Sequence, residues 1–273
     1  MQKGAVLGNR AAVEPQIGVL AVLRYLFCGG FAGVLAGILF LGAGARIVMR
    51  ISALLDPEAA GTITENGNVI GEITAGGSLG LVLFEGLFGG LMAGLCWVLV
   101  REWFPQKSWP RLALAGVTAA LLGSFLVVSA QNQDFQALNP PVVNVAMFIA
   151  IVAMTGCGAA ALDRPLQSLL PRGSKASILL AVLAVVGGLM AVSLLAQAYL
   201  AEDFCGCSDP PRPALAFLAL AGVASVLSWR NGMRYGALEE PKPRWLRTMG
   251  VIGVAGACLF AGLDLVDEVR RIL

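Results

Sequence analysis

Seven long apolar stretches punctuate the chain, at residues 17–41, 79–100, 112–130, 142–162, 178–200, 213–229 and 248–263. Each is close to the roughly 20 residues that a helix needs to cross the hydrocarbon core of a bilayer. Between them, Gly, Pro, Asn and charged residues gather in shorter connections. In hydrocarbon a helix satisfies its own backbone hydrogen bonds, which an open strand cannot do. The pattern therefore predicts an all-α integral membrane protein of about seven transmembrane helices, forming one polytopic domain over residues 1–273.

One connection departs from this pattern. In the first long loop, Asn66-Gly67 sits between alternating apolar and polar residues, the strongest short-range signal for a β-hairpin. A small external hairpin is expected there, with strands at 62–65 and 68–73.

Composition agrees with a lipid environment. Hydrophobic side chains make up 58% of the 273 residues and charged ones only 13%, and the mean hydropathy is +0.79. Ordinary soluble domains carry about twice that charge, so the composition speaks against a soluble enzyme, a nucleic-acid binder and a disordered regulator. The charges are also sorted by side. Lys3 and Arg10 precede the first stretch, Arg101, Lys107 and Arg111 follow the second, Arg164, Arg172 and Lys175 the fourth, and Arg230, Arg234, Lys242, Arg244 and Arg247 the sixth. The alternate connections hold only Arg46, Arg50 and Arg212, against Asp56, Glu58, Glu65, Glu72, Asp134, Glu202, Asp203 and Asp209. Basic flanks resist translocation, which puts the N-terminus in the cytoplasm and the chain in the cell inner (plasma) membrane as a multi-pass protein. Trp97, Trp103, Trp109, Trp229 and Trp245 all fall near the expected inner boundary, where indole rings form a belt. Gly42-Ala43-Gly44-Ala45 has the small residues of a signal cleavage site, but the apolar stretch before it is too long and contains Arg24, so it reads as a retained span.

Small residues suggest how the spans pack. Gly29, Gly33 and Gly37 share one helix face, as do Gly86, Gly90 and Gly94. Such faces let two backbones approach closely, either within the chain or against another copy or subunit. A tandem repeat is also expected between 112–162 and 178–229. Leu114, Ser124 and Asp134 match Leu183, Ser193 and Asp203 at one constant offset, and each half reaches a diproline.

Few residues could carry chemistry. Glu85 lies inside the second stretch, and an intramembrane carboxylate needs a cation, water or a proton. Arg46 and Arg50, one helical turn apart, and Asp264 at the end of the last stretch complete an outer-side charged group. It reads either as a structural ion pair or as a solute or ion site. Cys205 and Cys207, in an external loop, could form a disulfide or remain thiols. The chain has no His, and neither a phosphate-binding Gly-x-x-x-x-Gly-Lys loop nor a Gly-x-Ser-x-Gly elbow occurs. No enzyme activity, bound cofactor or metal is expected. Two readings stay open: a small-solute or ion transporter or channel, and a non-catalytic accessory or scaffolding subunit of a larger membrane complex.

Overall fold

The computed structural model describes residues 18–59, 61–63, 69, 72, 74–132, 135, 139–170, 174–200, 211–235 and 242–273. It is all-helical. Seven helices are long and apolar enough to cross a membrane: α1 (Val19–Leu55), α2 (Ala75–Trp103), α3 (Ser108–Leu126), α4 (Pro141–Leu169), α5 (Ile178–Leu200), α6 (Arg212–Met233) and α7 (Arg244–Ile272). All seven expected spans are present. Two run well past their apolar cores: α1 continues through Arg46 and Arg50, and α7 carries Asp264, Asp267 and Glu268 on the helix itself.

Local sequence explains the ends. Thr74 caps α2 by accepting a hydrogen bond from the Gly77 amide at 3.2 Å. Pro141 opens α4 at a position where its missing N–H would be unpaired in any case. Pro243, which cannot extend a helix backwards, precedes α7.

The close pair at the centre is α1 against α2. A Cβ on Gly94 would lie 2.5 Å from the Gly30 carbonyl oxygen, and one on Gly90 would lie 2.9 Å from the Gly33 carbonyl oxygen. Backbone meets backbone along this seam, so dispersion contact supplies the attraction that apolar lipid tails cannot. The two glycine faces thus meet each other within one chain. Towards one end of the seam both helices widen into π-helical segments, Gly37–Ala43 and Val82–Phe88, which lie side by side. Elsewhere α3 packs along α4, α6 along α7, and α5 lies against α1 and α2.

Much of the remaining apolar surface points outward. Leu39, Ile47, Phe84, Leu189, Leu259 and Leu263 are all exposed, and α5 is the least buried of the spans. A bilayer is the solvent that such a surface requires.

Two sequence expectations are modified. The first loop shows a single antiparallel bridge, Ile63 to Val69, and no strand among the described residues; Glu65, Asn66 and Gly67 lie outside them. Trp97 and Trp229 are buried in the helix core, leaving Trp109 and Trp245 as exposed rings; core contacts outweigh the headgroup preference at the first two positions. In the region of the expected repeat, α3 and α4 pack along their lengths, whereas α5 and α6 barely touch.

The α1–α2 seam leaves no space for side chains. Gly94→Leu should destabilise the protein by about 1–3 kcal/mol or more, as overpacking does, read as a lower melting temperature in detergent and lower abundance. Leu189→Ala, on the lipid-facing side of α5, should leave both nearly unchanged.

Candidate functional site

At one end of the bundle, three helices are tied by an ionic group. Asp163, in the last part of α4, is completely buried. Arg101 at the end of α2 donates to its Oδ1 at 2.6 Å, and Arg111 in the first turn of α3 donates to its Oδ2 at 2.7 Å. Gln167, one turn along α4, adds a bond from Nε2 at 3.0 Å. Pro105 ends α2 and allows only a short connection, which is what brings Arg101 and Arg111 to the same carboxylate. Arg101 also donates to the Tyr25 carbonyl at 2.8 Å, and its guanidinium carbon lies 3.5 Å from the Tyr25 ring centroid. Gly29 makes room for it, since a Cβ there would lie 2.5 Å from the guanidinium nitrogen.

Nearby cations are placed on backbone rather than on acids. Arg24 donates to the carbonyls of Gln167 and Leu170, both at 2.7 Å. These belong to the end of α4, where carbonyls lack helical partners and the helix dipole is negative. Arg24 therefore reaches the end of the bundle, as a snorkelling arginine does, and caps a helix there. A second acid, Glu102, accepts from Lys242 Nζ at 2.6 Å and from the Trp229 indole N–H. Trp103 donates to Ser225 Oγ at 3.1 Å, and Ser225 donates to the Leu99 carbonyl at 2.7 Å, fixing α6 to α2.

The opposite end has its own ties. Ser52 donates to Asn144 Oδ1 at 2.6 Å, joining α1 to α4. Asp56 accepts from the Asn139 amide at 2.9 Å, and the buried Glu268 accepts from the Ala130 amide at 2.8 Å. The Asn139 hydrogen bond is the main influence holding the Asp56 carboxyl below the usual carboxylate range.

Between the ends lies a crevice of about 90 Å³. One wall is a single face of α2, formed by Glu85, Gly89, Met92, Cys96, Trp97 and Val100. At 1.5 Å per residue that face is about 20 Å long. The facing wall combines Ala115, Thr118 and Leu122 of α3 with Val152, Thr155 and Ala159 of α4, and Leu195 of α5 closes one side. Trp97 lies at the lower end, packed edge-to-face on Phe104 at 5.7 Å. The Arg111 guanidinium sits over the other side of its ring at 5.0 Å, so the Asp163 group lies directly behind the floor. Glu85 stands in the π-helical segment of α2 at the upper end. Widened turns of this kind are rare and recur at functional sites.

Of the outer-side group expected from sequence, only Glu85 reaches this crevice. No ion pair joins it to Arg46 or Arg50 among the described residues. Arg46 is half-buried, with Nε and one terminal nitrogen enclosed and without hydrogen-bond partners. Asp264 lies on α7, within electrostatic reach of Tyr199 on α5. Cys205 and Cys207 lie outside the described residues. The described cysteines Cys28, Cys96, Cys157 and Cys258 are free, and no group of three His, Cys, Asp or Glu fit for a metal occurs among the described residues.

Sequence reasoning missed Asp163 and treated Arg101 and Arg111 as loop charges. The available signal was local: Asp163 is an acid in an otherwise basic connection, with Gln167 one turn later on the same face. Comparison with known protein families, curated proteins and solved structures finds no match. The class defined by fold and site is thus a polytopic, all-helical membrane protein with an enclosed ionic group at one end and a carboxylate-bearing crevice.

Removing one member of a buried ion group leaves the others uncompensated, at about 3–5 kcal/mol. Arg101→Met should therefore lower the melting temperature and abundance sharply. Adding Asp163→Asn in the same chain should recover part of the loss, and a double variant worse than the single one would refute the coupling. A gentler effect is expected at Asp56. Its folded-state acidity is raised, so its contribution is present above the usual carboxylate range and is lost as pH falls through that range and below. Wild type should lose stability on acidification more steeply than Asp56→Asn when unfolding is followed from about pH 6 to pH 3.

Proposed function

We propose that the chain is a small-solute carrier whose binding site is the crevice headed by Glu85. The observation that carries this reading is a half-buried carboxylate with no cation paired to it among the described residues, at the head of a cavity that crosses much of the helix bundle. A structural carboxylate at that depth would be expected to resemble Asp163, with every oxygen occupied. The paired π-helical segments beside Glu85 add support, because a widened turn can tighten or shift without breaking the helix. Trp97, backed by Arg111 and Asp163, serves as the barrier at the far end.

The charge asymmetry gives the orientation. The end bearing Arg24, Arg101, Arg111, Arg164 and Lys242 is cytoplasmic, and Glu85 faces the outer half of a prokaryotic-style plasma membrane.

A second reading, an accessory subunit of a membrane complex, is favoured by α5. Its exposed Val182, Val185, Leu189 and Val192 form an apolar face with little of the chain packed on it.

Glu85→Gln separates the two. In the carrier reading the variant reaches wild-type abundance but loses solute-dependent flux in proteoliposomes by tenfold or more. A variant with unchanged flux, together with a stoichiometric partner retained through mild-detergent purification, would replace it with the accessory reading.

A further inference from the structure

We infer that the crevice takes a single-chain aliphatic amine, with its ammonium group at Glu85 and its tail laid along α2 towards Trp97. The inference rests on the carrier reading for the location of the site and goes further by naming the chemical class. Two features of the crevice carry it. The first is shape: the crevice runs along some 20 Å of α2, so a solute that fills it is long rather than compact. The second is the order of chemistry along it. A carboxylate stands at one end, and below it come Gly89, Met92, Cys96 and Trp97 on α2.

The polar atoms farther down do not compete for a charged headgroup. Thr155 donates to the Ile151 carbonyl at 2.9 Å, within its own helix. Thr118 is in contact with Cys258 Sγ at 3.8 Å. Among the described residues Glu85 is the one carboxylate in the lining, and the guanidinium of Arg111 lies over the Trp97 ring. Positive charge is attracted at the top, and a tail gains by leaving water all the way down. A fatty acid would bring a second carboxylate to Glu85, and a neutral alcohol would leave Glu85 without a counter-charge. Met92 suits a flexible chain, because thioether side chains adapt to irregular apolar shapes.

Cys96 gives a direct readout, because it lines the crevice about 15 Å below Glu85, where only the tail of a bound chain can cover it. The full-length protein is placed in lipid nanodiscs and treated with a small membrane-permeant thiol reagent. The rate at Cys96 is followed by peptide mass spectrometry, with Cys157 and Cys258 as internal controls. Dodecylamine should slow labelling of Cys96 at least fivefold; butylamine, dodecanol and dodecanoate should not. The protection should disappear in Glu85→Gln and persist in Glu85→Asp. Equal protection by dodecanol, or protection retained in Glu85→Gln, would overturn the amine assignment.

Thermal unfolding in the same nanodiscs decides the matter if Cys96 reacts too slowly to follow. Dodecylamine should raise the melting temperature of wild type by several degrees more than that of Glu85→Gln, and equal shifts would sink the proposal. Flux of another solute that depends on Glu85 but is insensitive to dodecylamine would remove the amine and keep the carrier. Amine binding without any flux would do the reverse.

Discussion

The approach of α1 to α2 is the constraint on which the remaining structure depends. Along Gly33, Gly37, Gly86, Gly90 and Gly94 the two backbones touch with no side chain between them. That contact decides which faces of each helix are left for other partners. On α2, Glu85 and Cys96 flank the glycine stripe and line the crevice, with Trp97 one turn beyond Gly94. Its last turn carries Arg101 past Gly29 to Asp163. A side chain at any of the central glycines would move α2 outward and alter both places together.

The bundle treats its charges in two ways. Asp163 and Glu102 are surrounded by donors, and Arg24 is spent on the carbonyl end of α4. Such groups add little net stability, because desolvation offsets much of the attraction, but they penalise every arrangement in which the partners are apart. They select one packing among the many that small apolar residues would permit. Glu85 has none of these partners. It stands in a π-helical segment at the head of the crevice.

Much of the architecture was legible from hydropathy. The seven spans appear where the apolar stretches lie, and the two glycine faces meet. The hairpin expected around Asn66-Gly67 falls mostly outside the described residues, among which one bridge joins Ile63 to Val69. Trp97 and Trp229 show the limit of belt arguments: residues close to a boundary in sequence can still face inward.

The sequence by itself determined that the chain is helical, that it lies in a membrane and where the apolar core of each span falls. Those properties follow from sums over neighbouring residues, and each helix closes its own hydrogen bonds without reference to the others. The tertiary structure alone decided that Arg101 and Arg111 share Asp163 and that Glu85 faces a crevice rather than Arg46. Those outcomes depend on the rotation of each helix about its axis and on which helix lies beside it. Rotation is set by side chains far apart in the chain, such as Gly29 against Arg101 or Gly116 against Cys157, and no local pattern records it.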